Sequence, residues 1–536
     1  MSDVQTPLPD RRTRQGRWHW IIAALLITTA ILIVAGTITL SHAEPIVRKR
    51  VVDTLSARFG TDVALKEFHV SLSRGLQISG VGLNLYGVTD PNTHEIGIQP
   101  IISVAEFRFR TGIMDLFRSP MHVDIVYMKG MALNLPPREQ RAQMRNLERR
   151  SAKIKILVDK FVCDGAVLVI NTLKPGKLPL EFDIESLTMT KIGTNQPLHF
   201  DAKLLNPKPL GNVVSSGSFG PWQADSPRDT AVRGNYIFRH ADLSTIKGIG
   251  GILSSTGEYA GTLDNLVVDG STDTPDFRIE SSGRPVPLHT DFHAIVDATN
   301  GDTYLRPVTA KIIDTPLVAS GYVVRLKEPP GHRIVLDVAI AQGKIQDLLK
   351  LAVRTNPPIM TGTVQLNSKF DLAPGAASVA DRLKLAGRFR VLRAHFTNEK
   401  IQKKIDDLSM RTRGMMALLQ KNMIEDVNAN LRGVFGLESG TMRFSQLQFN
   451  IPGTRVDLTG QYSLDGRVFD FHGKARLDAR LSQMVTGWKH VLLVPADPFF
   501  SKHGAGTELP VRISGTESEP HFGLDFHHKD RLAGVK

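Results

Sequence analysis

The sequence predicts a mostly-β chain: one N-terminal transmembrane helix, then a long region of antiparallel sheet with a few short helices. Three observations predict it. Ile21 to Leu40 is a 20-residue run without a charge, apolar residues recur with period two over most of the remaining chain, and 45 glycines and 30 prolines punctuate that pattern. At 536 residues the chain exceeds one ordinary core, so several segments or an elongated architecture are expected. With 41% hydrophobic and 22% charged residues it is not a disordered protein. The net charge of +13 favours anionic surfaces, including acidic lipid headgroups, over acidic substrates. One cysteine, Cys163, excludes a disulfide framework and a cysteine-based zinc site, and is expected to be a buried, inert thiol.

The charge-free run spans about 30 Å as a helix, the thickness of a bilayer's hydrocarbon core. Arg11, Arg12, Arg14 and Arg17 precede it, with Trp18 and Trp20 at the interface position. Residues 1–20 are therefore read as cytoplasmic and 21–40 as the membrane helix, anchored by Trp18, Trp20, Ile21 and Leu40, with the chain after residue 41 translocated. Ser41-His42-Ala43 loosely fits a signal-peptide cleavage site, but the run is longer than the roughly 7–15 residues of a signal peptide's apolar core, which favours an uncleaved anchor.

Next, residues 44–60 read as a short helix, with Val47, Val51, Leu55 and Phe59 at four-residue intervals and Gly60 placed to end it. Period two then takes over. Val81, Leu83 and Leu85 alternate with Gly82 and Asn84, and Phe107 and Phe109 with Arg108 and Arg110. Phe277 and Ile279 flank Arg278, and Ile334, Leu336 and Val338 alternate with Arg333 and Asp337. Phe389 and Val391 alternate with Arg388 and Arg390, and Phe469 and Phe471 with Asp470 and His472. Such strands have one apolar and one wet face, as in antiparallel sheet. Leu464-Asp465-Gly466-Arg467 reads as a hairpin turn. Residues 137–150 read as a solvated helix or linker, and 344–353, 401–419 and 481–492 as helices. The Pro/Gly-rich stretch 206–229 reads as a loop between sheet segments, with a further break at Asn356-Pro357-Pro358. These breaks divide the region into 44–205, 206–355 and 356–525, with a polar tail at 526–536. One-sided strands with so few helices must cover their apolar faces in one of two ways: sheet packed on sheet, or a curled sheet filled by a ligand.

Catalytic patterns are missing. The sequence holds no nucleophile elbow, phosphate-binding loop, zinc-protease motif or dinucleotide fingerprint. Gly248-Ile249-Gly250-Gly251 reads as a structural break, and His289, Asp291 and His293 share one solvated strand face rather than a metal site. Basic residues lack the aromatic interleaving of nucleic-acid binders. A non-enzyme without cofactor, metal or nucleic-acid partner is expected.

The stretch Leu55–Leu85 (LSARFGTDVALKEFHVSLSRGLQISGVGLNL), the middle motifs Asp264-Asn265-Leu266, Thr274-Pro275-Asp276-Phe277 and Pro287–Phe292, and the C-terminal Leu458–Leu464 and Leu509–Thr516 resemble the AsmA family of bacterial envelope proteins. Loosely, the resemblance covers residues 45–130 and 180–525. It lies in strand and turn signatures, so no functional residue carries over. It implies an inner-membrane anchor, a large periplasmic domain, and an elongated β-groove similar to that of bridge-like lipid transfer proteins. It further implies phospholipid traffic toward the outer membrane in support of envelope homeostasis, with other envelope proteins as partners. On that reading Phe107, Phe109, Phe277, Ile279, Leu336, Phe389, Val391, Phe469 and Phe471 are expected to line the groove. The alternative function is a non-enzymatic periplasmic scaffold that assists or restrains outer-membrane protein assembly. Roughly 30 strands at about 4.8 Å would extend about 140 Å, which favours action with a partner, as an oligomer or as a shorter holder.

Overall fold

The computed structural model describes residues 44–525 apart from 57–61, 89–95, 136–155, 171–179, 280–283, 421–424, 464–467, 486–493, 498–505 and stretches of three residues or fewer. Trp18, Trp20, Ile21 and Leu40, the turn at 464–467, the segment 137–150 and the tail at 526–536 lie outside the described residues. Among the described residues no helix is long and apolar enough to cross a membrane. Strands dominate, and the chain divides into two compact units at Leu204/Leu205.

The first unit opens with a helix over residues 44–56, whose Val47 and Val51 are buried against the sheet. Strands β1 (Asp62–Ser71), β2 (Leu76–Val88), β3 (Ile96–Thr111), β4 (Met121–Leu135), β5 (Ile156–Ile170) and β6 (Leu180–Ile192) pair in sequence order. All these ladders are antiparallel except β4–β5, which is parallel. This corrects the purely antiparallel expectation. A parallel neighbour needs a crossover of a dozen or more residues, and 136–155 supplies the length.

A crease crosses this sheet. Gly82, Gly130 and Gly165 adopt φ of +69°, +60° and +68°, a left-handed conformation that favours glycine. The register aligns them, with Lys66, Ala105 and Glu185 completing the row. At each crossing the inside–outside alternation shifts by one residue. Buried Phe68, Phe107 and Cys163 lie on one side of it, and Leu83, Val104 and Ala166 on the other. Val81, predicted to share a face with Leu83 and Leu85, is instead 40% exposed, because Gly82 reverses the phase. Cys163 is 1% exposed, and burial raises its thiol pKa, as expected of an inert cysteine.

β7 (Leu198–Pro207) crosses the division between the units. The second unit then runs as β8 (Leu210–Phe219), β9 (Ala231–Asp242), β10 (Ile249–Gly250), β11 (Ile252–Thr262), β12 (Asn265–Ile279), β13 (Val286–Asp297), β14 (Asp302–Ile312) and β15 (Thr315–Leu326). It continues with β16 (Gly331–Lys344), β17 (Met360–Leu372), β18 (Leu383–Phe396), β19 (Ala429–Glu438), β20 (Thr441–Ile451), β21 (Thr454–Ser463), β22 (Val468–Leu477), β23 (Thr507–Thr516) and β24 (Pro520–Leu524). The ladders described here are antiparallel between successive strands, apart from the two-residue β10, which pairs with the end of β12. They form an open sheet rather than two packed ones. β8 corrects the loop expected over 206–229: Pro209 and Pro221 fall just outside the strand ends, where a missing N–H breaks no ladder bond.

Short helical segments accompany this sheet, among them a single turn at Val379–Arg382. Helix Ile345–Ala352 matches its predicted span, and the 401–419 prediction resolves into Glu399–Thr412 and Met416–Gln420. Of 481–492, Leu481–Met484 forms a 3-10 turn. Helix Glu399–Thr412 starts at Asn398, whose side chain accepts from the amides of Lys400 and Ile401. Its buried Asp406 accepts from Val427 N at 3.0 Å and from Gln402 Nε2 at 2.8 Å, while Gln402 also donates to Val427 O at 2.8 Å. Both helices join a core with Ile340, Val364, Val391, Ala394, Ala429 and Ile451. Helix Ile345–Ala352 touches β12, β16 and β17, so the sheet bends around it. Register shifts interrupt ladder after ladder from β8 to β21, and each such bulge adds local bend and twist.

Candidate functional site

Residues paired across a ladder point to the same side of a sheet, so the register assigns faces. Leu336 stands opposite Gly321 and Phe370, and Phe389 opposite Leu366 and Gly433. Val391 faces Val364 and Leu431, Phe471 faces Gly460 and Ile513, and Phe469 faces Tyr462 and Gly515. Phe277 pairs with Val286, which lies on the same side as Leu288, and Ile279 pairs with Ile249. The seven predicted residues of the second unit therefore share one apolar face, running from β12 to β23.

Their burial differs. Val391 is 2% exposed beneath the helical core. Phe277, Ile279, Leu336, Phe389, Phe469 and Phe471 are half-buried, as are Phe370, Phe435 and Phe444 beside them. The helices cover one end of strands β16–β20, around Val364, Val391, Ala394, Ala429 and Ile451, and away from that end the aromatic side chains of the same strands keep an open surface. In the first unit, Phe107 is 7% exposed in the same buried cluster as Val47 and Val51, with Phe109 stacked at a centroid distance of 6.3 Å. That pair serves packing.

The open part of the face is a ribbon of rings. Phe389 meets Phe435 at 6.2 Å, Phe435 meets Phe444 at 6.5 Å, Phe444 meets Phe471 at 5.7 Å, and Phe471 meets Phe469 at 6.4 Å. These separations suit favourable aromatic pairs. Phe444 and Phe471 belong to β20 and β22, and they meet because the β21 residue between them is Gly460. The pattern repeats across the unit. A Cβ on Gly433 would sit 2.5 Å from the Phe389 ring, on Gly387 2.9 Å from Phe435, on Gly460 2.6 Å from Phe471, and on Gly270 2.8 Å from Phe292. Each ring occupies the space of the side chain its cross-strand glycine lacks, so it lies along the sheet and leaves a smooth apolar floor. Phe435 and Phe444 were not singled out from sequence, because their glycine partners, Gly387 and Gly460, stand on neighbouring strands.

The opposite face is polar and mostly charge-matched. Arg333 Nε lies 2.9 Å from Asp371 Oδ1, Lys384 Nζ 2.6 Å from Glu438 Oε1, Arg512 Nε 3.0 Å from Asp470 Oδ1, and Arg476 Nε 3.1 Å from Glu508 Oε2. The hydrogen bond from Arg333, then its charge, pulls the Asp371 carboxyl below its usual pKa. His289 and His293 stand on this face, each 2.6 Å from an aspartate across the ladder, Asp273 and Asp269. In the first unit, His122, Asp124 and Asp159 bring three possible metal-ligand atoms within 4.8 Å of one another. His122 Nε2 is already 3.0 Å from Asp159 Oδ1, and that hydrogen bond raises the imidazole pKa. No family model, curated protein or solved structure matches this chain.

Proposed function

We propose that the apolar face of the second unit holds the acyl chains of phospholipids, and that the protein is a non-enzymatic, inner-membrane-anchored carrier or holder moving phospholipid toward the outer membrane. The observation that carries this reading is the half-buried ring ribbon of β18–β22, an apolar floor with no second layer over it among the described residues. The AsmA-like strand and turn signatures support it, as does the charge-free run at 21–40.

The energetics favour such a face. Two acyl chains carry on the order of 30 methylenes at about 0.8 kcal/mol each, so leaving them in water costs roughly 24 kcal/mol. Contact with phenylalanine, leucine and valine offsets that cost. Because it is non-directional, no single position along the face becomes a trap. From β8 to β24 the face extends on the order of 70 Å at about 4.8 Å per strand. A lipid that moved along it would exchange one set of rings for the next without leaving apolar contact.

The test uses full-length protein purified from membranes, carrying a photo-crosslinking residue at Phe471 or at Gln461, which is exposed on the other face. Phospholipid adducts at Phe471 and none at Gln461, read by mass spectrometry, are the expected result. No adducts at Phe471 in folded protein refute the reading and leave the periplasmic scaffold as the function to test.

A further inference from the structure

A second depression, of about 850 Å³, lies over β17–β22 on the polar side of the sheet. Its origin is local: β20 is bulged in both of its ladders, between Phe444 and Leu447 against β21 and opposite Val434/Phe435 of β19. Such bulges bend the strand and hollow the surface beside it. That volume falls within the range of small-molecule sites.

Its lining departs from the rest of this face. Arg388 and Arg390 on β18 and Arg432 on β19 line it, together with Gln446, Gln448 and His472. Arg390 and Arg432 are directly opposed in the ladder. Like charges in that position repel and destabilise the pair. Elsewhere on the sheet, Arg333, Lys384, Arg476 and Arg512 each have a carboxylate across the ladder. Arg388, Arg390 and Arg432 make no ion pair among the described residues. Asp457 is the one acid in the lining, and it is held by Arg455 Nε at 3.1 Å and by Gln448 Nε2. The depression therefore concentrates three uncompensated guanidinium groups beside amide donors.

We propose that this depression binds a phosphate group, gripped by Arg390 and Arg432 from two strands, with Arg388 flanking and Gln446 donating. Guanidinium forks match phosphate oxygens two at a time, and a bound phosphate anion offsets the repulsion between the opposed arginines. The acyl-binding face lies on the other side of the sheet, so this site stands or falls independently of that reading. The phosphate comes either from a soluble phosphate ester or from a phospholipid headgroup.

The experiment compares full-length wild type, in detergent micelles, with the Arg390→Gln/Arg432→Gln double variant. One arm titrates sn-glycerol 3-phosphate by calorimetry. The other measures flotation, after reconstitution into nanodiscs, with vesicles of phosphatidylcholine alone or with phosphatidylglycerol added. The expected result is saturable binding in one arm that falls at least tenfold in the double variant: in the first arm it identifies a soluble ester, in the second a headgroup. Melting temperature supplies the control, because relieving the repulsion leaves the variant at least as stable as wild type. Binding absent from both arms, or equal in both proteins, overturns the proposal. So does loss of binding accompanied by a lowered melting temperature.

Discussion

Gly433→Ala is expected to destabilise β18–β20 in the wild type and to stabilise them once Phe389 is truncated. An alanine Cβ at 433 would lie 2.5 Å and 2.8 Å from two carbons of the Phe389 ring and 3.2 Å from Gln446 O. Carbon contacts settle at about 3.5–4.0 Å, so the ring must retreat by about 1 Å. Overpacking of that kind costs about 1–3 kcal/mol. Against it, alanine is better than glycine inside a strand by about 0.5–1 kcal/mol. The net loss is about 1–2 kcal/mol. In a Phe389→Ala background the ring is gone, only the Gln446 contact remains, and the same substitution should gain up to about 0.5 kcal/mol. Hydrogen exchange of the β19 amides reads the local opening free energy in all four proteins. A displaced ring also stands up from the floor, so phospholipid retained by Gly433→Ala should fall and recover in the double variant. Equal destabilisation in both backgrounds would refute the idea that the glycine exists to seat the ring.

Ile313 holds φ of +56° as the first residue of the two-residue loop between β14 and β15, where glycine is favoured. Ile313→Gly should therefore raise the stability of that hairpin by about 1 kcal/mol, read as slower exchange of its amides. Asp406→Ala strands the Val427 N–H in a buried setting and removes one of the acceptors of Gln402, and should cost about 1–3 kcal/mol in local opening of helix Glu399–Thr412. The hydrogen bond that His289 Nδ1 donates to the Asp273 carboxylate, opposed by slight desolvation, raises the His289 pKa above 6.5. That pairing contributes fully below the unfolded value and is lost as pH rises through the folded one. The difference in melting temperature between wild type and His289→Gln should accordingly be present at about pH 6 and shrink at higher pH; a constant difference would exclude the pairing as its source.

Much of the apolar face was legible because strands repeat every two residues whatever their neighbours are. Phe389 with Val391, and Phe469 with Phe471, needed only local alternation to be placed on one side. Helix Ile345–Ala352 was legible for the parallel reason, a compact four-residue spacing. What escaped depends on register. Arg390 and Arg432 are forty-two positions apart, and nothing local in either strand announces that they meet. The seating of Phe471 over Gly460 is equally invisible until β21 and β22 are paired. Val81 was misplaced because one left-handed glycine reverses the count, and Phe107 because alternation alone does not tell a strand face closed into a core from an open one. β8 was missed because prolines at its two ends resemble prolines within a loop.

The glycine crease of the first unit bears on how its strands find one another. In an ordinary sheet a slip of two residues is the dangerous error, since it preserves which side chains face inward. Here every strand changes phase where it crosses this row, with Gly82, Gly130 and Gly165 marking it on β2, β4 and β5. A strand displaced by two residues would carry its notch beside an unnotched neighbour, and over that interval outward Glu106 or Lys129 would be turned toward the core. The row thus works as a key cut across the strands, which admits one alignment and rejects the near misses. Paired insertions should be tolerated at the strand ends and rejected between the notch and the core.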